Sequence, residues 1–269
     1  MIQNFDVHVH TSYCDGNNTP AEMAAKAFSL GFDTLGLSGH SYTPFDSSFC
    51  MSFEDTRKYI SEITELKDEY KGKMDILCGI EQDYFAPLPV HKYDYRIGSV
   101  HYIEVSGERL TVDLSPQETN RIINLYFSGD YDAFAECYFK LAGDVLRATE
   151  ADIIGHFDLI SKFSEVINYG ESDRYLAAGF DAIAKLIPYG KPFEVNVGAI
   201  TRGYRTSPYP SHAFLKEINR LGGKIIITGD CHSVDSLGNN LSLGCEFAKS
   251  CGFKTAVKLT GNGFVEYEL

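Results

Sequence analysis

Tryptophan is absent from this chain of 269 residues, and basic residues are scarce relative to acidic ones. Lys and Arg together number 24 against 37 Asp and Glu, which gives a formal net charge of −13. A field of this sign repels polyanions at long range, so nucleic acid is not expected as the main partner. Apolar stretches as long as a membrane span are also missing, so no membrane association is expected.

The cysteines lack the paired spacing of a disulfide framework. They are seven, an odd number, and they are scattered along a chain that is long for a small secreted domain, which favours a reducing compartment. The first residues lead directly into a strand-like run, 4–10, without the basic region and apolar segment of a signal peptide. We therefore expect a cytoplasmic protein.

Internal repeats, low-complexity tracts and linkers rich in Pro or Ser are lacking as well. With 44% hydrophobic and 23% charged residues, the chain has the composition and the length of one α/β barrel. The sequence thus predicts a single domain over residues 1–269.

Short runs rich in Val, Ile, Leu and Phe alternate with longer helical patterns. Seven such runs occur, at residues 4–10, 34–38, 75–81, 95–101, 152–156, 193–197 and 224–228. This alternation predicts a parallel sheet with crossover helices. The longest interval, 102–151, contains two helical patterns, at 116–127 and 131–148, and is predicted to be a helical insertion after the fourth strand.

Several predicted helices carry boundary signals. Thr19 and Ser115 are each followed by a proline and, three residues after the cap, by a glutamate, as in a capping box. Glycines follow the ends of four helical patterns, at Gly31, Gly72, Gly129 and Gly222.

Histidines mark the ends of the apolar runs. Six of the eight are found there: His8, His10, His40, His101, His156 and His232. Chemistry in a parallel barrel takes place at the carboxyl ends of the strands. Side chains two apart on a strand project from the same face about 7 Å apart, so His8 and His10 can converge on one ion, and Asp230 and His232 repeat the spacing.

Each of these histidines taken alone is more simply explained as a hydrogen-bonded core or surface residue. Six imidazoles in one barrel mouth would be costly to desolvate, however, unless divalent ions and carboxylates satisfied them. Cys231 should point away from the ions, whereas Cys14 stays open as a ligand. His91 and His212 lie outside the strand ends and are expected to have surface or capping roles.

Taken in chain order, the residues at the strand ends resemble the motifs of the PHP family, which is named for its polymerase-associated and histidinol phosphatase members. The resemblance rests on His8-Val9-His10-Thr11-Ser12 with Asp15-Gly16, on Ser38-Gly39-His40, and on Gly229-Asp230-Cys231-His232. It implies a distorted seven-stranded (β/α)7 barrel of the TIM-like type. Gly79 to Tyr84, Gly98 to Tyr102, Gly155 to Leu159 and the insertion are most similar to the histidinol-phosphate phosphatases.

The resemblance implies up to three divalent ions, and imidazole and carboxylate ligands suit zinc, iron or manganese. By this analogy the first ion would lie among His8, His10, Glu81 and Asp230. The second would take Glu81, His101 and His156, and the third Asp15, His40 and His232.

These ligands lead to a mechanistic hypothesis for a phosphate monoester. A metal-bound hydroxide would attack phosphorus in line, with Glu81, Asp230 and His232 as supporting groups. Arg202, just beyond the sixth strand, is placed to bind phosphate oxygens, with Arg205 as second choice, although a surface arginine packing on Tyr204 or Tyr209 is an equal alternative. The expected substrate is L-histidinol phosphate, an intermediate of histidine biosynthesis.

Three other functions are open at this point. The chain could hydrolyse another small phosphate ester, a nucleotide or phosphotyrosine. It could be a metal-binding regulatory module without turnover, although a degenerate site should show gaps in its ligand set. A metal-dependent amidohydrolase uses similar strand-end histidines, but no lysine here is placed convincingly as its bridging ligand.

Overall fold

Seven parallel strands form the centre of the fold in the computed structural model, which describes residues 3–269. In their spatial order they are β1 (Phe5–Asp6), β2 (Thr34–Leu37), β3 (Asp75–Asp83), β4 (Tyr95–Ser99), β7 (Ile153–Ile154), β8 (Phe193–Asn196) and β9 (Ile225–Thr228). Just beyond β1 and β9, Val9 and Cys231 form a parallel bridge, in which the N–H of His10 donates to the carbonyl of Cys231 at 2.9 Å. The first and last strands thus meet, and the predicted α/β barrel is confirmed.

Helices surround the barrel and connect its strands. They are α1 (Pro20–Ser29), α2 (Phe53–Glu69), α3 (Pro116–Tyr126), α4 (Tyr131–Ala142), α5 (Val145–Thr149), α6 (Ser164–Ile167), α7 (Asp173–Leu186), α8 (Gly198–Thr201), α9 (His212–Arg220) and α10 (Leu241–Ser250). Each longer helix buries an apolar face, as α1 does with Met23, Ala24 and Ala27. None of the helices in the described chain is both long and apolar enough to cross a membrane.

Helices begin at the predicted caps Thr19 and Ser115, although only Thr19 forms a complete capping box. Thr19 accepts the N–H of Glu22 at 3.2 Å while Glu22 accepts the N–H of Thr19 at 2.8 Å, and Ser115 caps α3 through the N–H of Glu118 at 3.1 Å. The four predicted terminal glycines all have positive φ, which a residue without Cβ adopts readily: Gly31, Gly72, Gly129 and Gly222.

The insertion after β4 contains more than the two predicted helices. It begins with a hairpin of β5 (Tyr102–Val105) and β6 (Glu108–Thr111), joined by Ser106 and Gly107, which both have positive φ as a two-residue hairpin turn requires. The second predicted helix is divided at Gly143 into α4 and α5. A side chain at Gly143 would lie 3.1 Å from the Cα of Ala182, so this glycine allows α4 and α7 to pack closely.

A second hairpin, β10 (Thr255–Thr260) and β11 (Gly263–Glu268), covers the amino-terminal end of the barrel. Its Val257 and Leu259 pack into the cluster that fills the barrel interior, together with Val7, Tyr95 and Ile226. This end of the barrel is closed by apolar side chains, so a site can open only at the carboxyl ends of the strands.

Candidate metal centre

Nine acidic and histidine side chains from six strand ends and the loop after β1 converge at the carboxyl end of the barrel. They form four overlapping groups whose potential ligand atoms lie within 4.8 Å of one another. The groups are His8, His10 and Asp230; His8, Glu81 and His156; His40, Glu81 and His101; and His10, Asp15, His40 and His232. These are the nine residues that the sequence analysis selected as candidate ligands.

Glu81 is the centre of this arrangement. Its Oε1 lies 2.9 Å from His156 Nε2 and 3.2 Å from His101 Nε2. Its Oε2 lies 2.9 Å from His40 Nδ1, and 3.4 and 3.5 Å from Nε2 of His8 and His10. A carboxylate with different histidines at its two oxygens can bridge two ions.

Four atoms in this cluster are buried and have no hydrogen-bond partner among the described residues: His8 Nε2, His10 Nε2, His156 Nδ1 and Glu81 Oε2, whose 2.9 Å approach to His40 Nδ1 lacks hydrogen-bond geometry. Buried polar atoms are normally paired, because an unpaired one loses its hydration without compensation. His8 Nε2 and His10 Nε2 both face Glu81 Oε2, and imidazole nitrogen and carboxylate oxygen are ligands of divalent transition metals. The residues therefore fit a bound divalent ion.

A more exposed group lies beside the buried one, around Asp15, whose side chain is 32% exposed. Asp15 Oδ2 lies 3.2 Å from His232 Nε2 and 3.5 Å from His40 Nε2, and its Oδ1 lies 3.3 Å from His10 Nδ1. Asp230 Oδ1 connects the two groups at 3.4 Å from His10 Nε2. His10 and His40 thus each face both groups. The resemblance, in contrast, assigned His10 to the first ion only and His40 to the third ion only.

Opposite charges shift the acid–base equilibria of this cluster in a consistent way. Burial would raise the pKa of Glu81, but His40, His101 and His8 lower the pKa well below its ordinary range. Burial would lower the pKa of His8, but Glu194, Asp230 and Glu81 raise it well above its ordinary value. The pKa of His40 is likewise raised to about 9, with Glu81 and Asp15 outweighing burial. Ionised acids thus surround strongly basic imidazoles, so a divalent ion would have to displace protons from these histidines.

The two candidate phosphate-binding arginines are in different environments. Arg202 lines the cavity above the cluster and donates to the carbonyl oxygen of Asp230 at 2.7 Å and to its Oδ2 at 3.0 Å. Arg205 is buried over the ring of Tyr209 and donates to the carbonyl and hydroxyl oxygens of Ser161. In the described chain, Arg205 is not among the residues that line the cavity.

Two adjoining cavities open onto the histidines. One, of about 190 Å³, is lined by seven of the nine cluster residues, all except His8 and His10, together with Arg202, Lys162 and Asp113. The other, of about 280 Å³, shares Asp15, His40, His101 and Asp113 with the first. The remaining lining residues of the second cavity are two further polar side chains, three apolar or aromatic side chains and one acid: Ser48, Thr111, Phe49, Tyr102, Leu114 and Asp46.

Several residues around the cluster were not among the candidates predicted from the sequence. Lys162 Nζ lies 3.1 Å from Asp113 Oδ2 at the cavity wall, where Asp113 belongs to the insertion and Lys162 to the segment after β7. Glu194 and Asp83 contact the histidines from behind. A charged residue inside the apolar run of β8 was the signal that could have indicated Glu194.

The tyrosine and cysteine residues that follow or adjoin the strand ends differ in whether they reach the site. Tyr102 lines the second cavity, whereas Tyr42 stacks on Phe53 and Tyr84 donates to Asp144. Cys231 is buried outside the four ligand groups, and Cys14 Sγ lies 3.5 Å from His10 Nδ1 without belonging to them.

The family model of the PHP domain matches residues 6–198 of this chain. A protein of Schizosaccharomyces pombe named probable histidinol-phosphatase is 28% identical over 79% of this chain and 73% of its own length. The histidinol-phosphatase of Bacillus subtilis is 24% identical over 88% of this chain and 96% of its own length.

Two crystal structures share the fold. A Listeria monocytogenes protein superposes with a TM-score of 0.79 at 20% identity, over 89% of this chain and 99% of its own. Histidinol phosphate phosphatase of Lactococcus lactis, crystallised with zinc, L-histidinol and phosphate, superposes with a TM-score of 0.67 at 20% identity, over 97% of this chain and 98% of its own.

Proposed function

The chain belongs to the PHP domain family, and from that premise we propose that it is a metal-dependent phosphomonoesterase that hydrolyses L-histidinol phosphate to L-histidinol and phosphate. The observation that carries the proposal is the convergence of nine ligand-type side chains, several with buried, unpaired atoms, at the carboxyl end of the barrel. Relatives named histidinol-phosphatase, and the complex of the Lactococcus lactis enzyme with zinc, L-histidinol and phosphate, support the same substrate.

We assign divalent ions, up to three of zinc, iron or manganese, to the four ligand groups. His8, His10, Glu81, Asp230, His101 and His156 would hold the buried ions, and Asp15, His40 and His232 the more exposed one. Divalent ions, when bound, supply positive charge for the phosphate and lower the pKa of water toward neutrality. Glu81, Asp230 and His232 act as supporting groups, because they fix the spacing of the cage.

The phosphate group is oriented by cationic side chains at the rim of the cage. Arg202 presents its guanidinium to the cavity from a fixed position, since Asp230 accepts from two of its nitrogens. Lys162 also lines the cavity, and its ammonium group donates to the carboxylate of Asp113, which keeps it at the cavity wall. We retain Arg205 only as the second choice, because it stabilises the loop around Ser161.

The leaving group of the ester is recognised in the larger cavity. Its aromatic walls, Phe49 and Tyr102, suit a planar ring, and its carboxylates, Asp46 and Asp113, suit a cation. Burial would raise the pKa of Asp113, but Lys162 lowers it to about 2, so this acid is ionised at neutral pH. L-Histidinol carries an imidazole ring and a primary ammonium group, whereas phosphotyrosine, sugars and nucleosides offer no such ammonium beside the ester.

The reaction is assigned to the cytoplasm, with a small phosphorylated molecule as partner and neither nucleic acid nor membrane involved. The seven cysteines form no disulfide within residues 3–269, as in proteins of a reducing compartment. The net charge of −13 opposes binding of polyanions, while the cage concentrates positive charge locally when it is loaded.

Phosphate release from a panel of esters tests the proposal. Metal-loaded protein should hydrolyse L-histidinol phosphate with a higher kcat/KM than phosphotyrosine, a nucleoside monophosphate or 4-nitrophenyl phosphate, and chelation should abolish turnover. Asp113→Asn should lower kcat/KM for L-histidinol phosphate more than for 4-nitrophenyl phosphate, whereas Asp68→Asn, on the exposed far end of α2, should change neither. Full activity in a chelated, metal-free preparation would contradict the mechanism, and a preference for another ester would contradict the substrate.

A further inference from the structure

We propose that Glu194 is a positioning residue that fixes the tautomer of His8 and couples the first two metal positions, an inference that rests on the proposed metal centre. Glu194 lies in the middle of β8, where its neighbours Phe193 and Val195 are buried and apolar. Its own side chain is 0% exposed. A carboxylate in such a place is unfavourable unless several donors compensate for its lost hydration.

Both oxygens of Glu194 contact the metal cluster from behind. Oε1 lies 2.6 Å from His8 Nδ1, and Oε2 accepts the backbone N–H of His156 at 2.8 Å. The amide of Asn196 donates to Oε2 at 3.3 Å and lies 3.4 Å from Asp230 Oδ2. One carboxylate thus contacts two candidate ligands, His8 and His156, directly and a third, Asp230, through Asn196.

The contact with His8 determines which ring nitrogen can bind a metal. Glu194 Oε1, at 2.6 Å from His8 Nδ1, accepts a hydrogen bond there, so a His8 that binds a metal through Nε2 carries its proton on Nδ1. Its Nε2 then presents a lone pair to the cage, where it lies 3.4 Å from Glu81 Oε2 and has no hydrogen-bond partner. A second hydrogen bond of this kind typically orients a metal-binding histidine and raises its basicity.

Through its contact with His156, Glu194 also orients a candidate ligand of the second metal ion. The backbone of His156 is anchored at Oε2 of Glu194, and its ring nitrogen Nε2 lies 2.9 Å from Glu81 Oε1. Loss of the carboxylate should therefore weaken ligands on both sides of Glu81. Asp83 makes a separate contact of the same type, to Nδ1 of His101 at 3.2 Å and to its backbone N–H at 3.1 Å.

Glutamine at position 194 would separate shape from charge. A glutamine has one acceptor oxygen and one donor NH2 group, whereas Glu194 accepts on both sides. Its oxygen should face the two donors at the Oε2 side, His156 N and Asn196 Nδ2, which leaves the NH2 group facing His8 Nδ1. His8 would then move its proton to Nε2 and lose the lone pair that points into the cage.

Cobalt titration of chelated protein tests this prediction. The visible absorption of bound Co²⁺ reports the number and the affinity of sites, and ¹⁵N-histidine NMR of the zinc-loaded protein reports the protonated ring nitrogen of His8. Glu194→Gln should lower cobalt affinity by about 10–100-fold and move the His8 proton from Nδ1 to Nε2. Glu266→Gln, the same chemical change on the exposed strand β11, should leave both measurements unchanged.

The outcomes separate this inference from the proposed function. Wild-type protein that binds no cobalt would refute the metal centre itself. Wild-type binding that Glu194→Gln leaves at full affinity, with the proton of His8 still on Nδ1, would refute only the role of Glu194. If circular dichroism shows that the variant does not fold, the ¹⁵N-histidine NMR spectrum of the zinc-loaded wild-type protein decides. Coordination of His8 through Nδ1 in that spectrum would overturn the inference.

Discussion

Replacing Glu81 by glutamine should remove most of the stabilisation that divalent ions give to this protein. Glu81 lies 2.9 Å from His156 Nε2 through one oxygen and 2.9 Å from His40 Nδ1 through the other, so it can serve two positions at once. Glutamine keeps the shape but has a single acceptor oxygen and no charge, and its NH2 group would face a histidine nitrogen that has to bind an ion.

The size of the effect follows from linkage. An ion at a free concentration 100 times its Kd stabilises the folded state by about 2.7 kcal/mol per site. Unfolding entropy is about 2.1 cal/mol/K per residue near 60 °C, or about 0.56 kcal/mol/K for 269 residues, so one bound ion should raise Tm by about 5 °C. In Glu81→Gln the increase should fall to a small fraction of this value.

Thermal unfolding of chelated protein, with and without added Mn²⁺, measures the difference. Manganese is preferable to zinc because the seven free cysteines would bind zinc in the unfolded chain and reduce the shift. Glu65→Gln, on the exposed side of α2, is the matched control and should keep the full increase. An increase in Glu81→Gln as large as in the wild type would refute the bridging role of this carboxylate.

Three further predictions concern the rim, the barrel wall and the core. Arg202→Ala should lower kcat/KM for L-histidinol phosphate by about 10–100-fold through a higher KM, because this is the value of one charge-assisted hydrogen-bonded contact. Steady-state kinetics in which only Arg205→Ala has this effect would reverse the choice of Arg202 over Arg205 as the phosphate-binding residue. Burial raises the pKa of Asp6 to about 7 from its ordinary 3.8, so its contribution to stability is full below about pH 4 and is lost as the pH rises through 7. Urea unfolding should therefore show wild-type stability falling between pH 4 and pH 7 by up to about 4 kcal/mol more than that of Asp6→Asn, and parallel profiles would contradict this. Gly79→Ala should destabilise the fold by about 1–3 kcal/mol or more, because its Cβ would lie 2.2 Å from the ring of Tyr95, and an unchanged Tm would show that the ring can move.

The convergence of the candidate ligands could be predicted from the sequence because the positions of strand-end residues follow from the parallel sheet. Once His8, Glu81 and His156 are placed at strand ends, the barrel brings them together whatever the loops do. The register supports this, since Leu37 lies beside Cys78 and Asp83 beside Ser99 at the carboxyl edge. Alternation of apolar runs and helical patterns was therefore enough to bring the strand-end residues together, whereas Asp15, in the loop after β1, was assigned from the family resemblance.

The surroundings of the cage depend on long-range packing that the strand pattern does not encode. Lys162 and Asp113 are 49 residues apart and meet only because the insertion folds over the barrel mouth. The hairpin around Ser106 and Gly107 had a turn signal in the sequence, but its strands are too short to be distinguished from a loop by periodicity. Glu194 interrupts an apolar run, and its contacts with His8 and with the backbone of His156 explain why.

Anomalous diffraction from crystals grown with Zn²⁺ and phosphate tests the metal centre most directly. Data collected on both sides of the zinc absorption edge should show anomalous peaks, up to three, among the nine side chains around Glu81, with phosphate within reach of Arg202. Crystals saturated with zinc that show no anomalous peak in this cage would contradict the account.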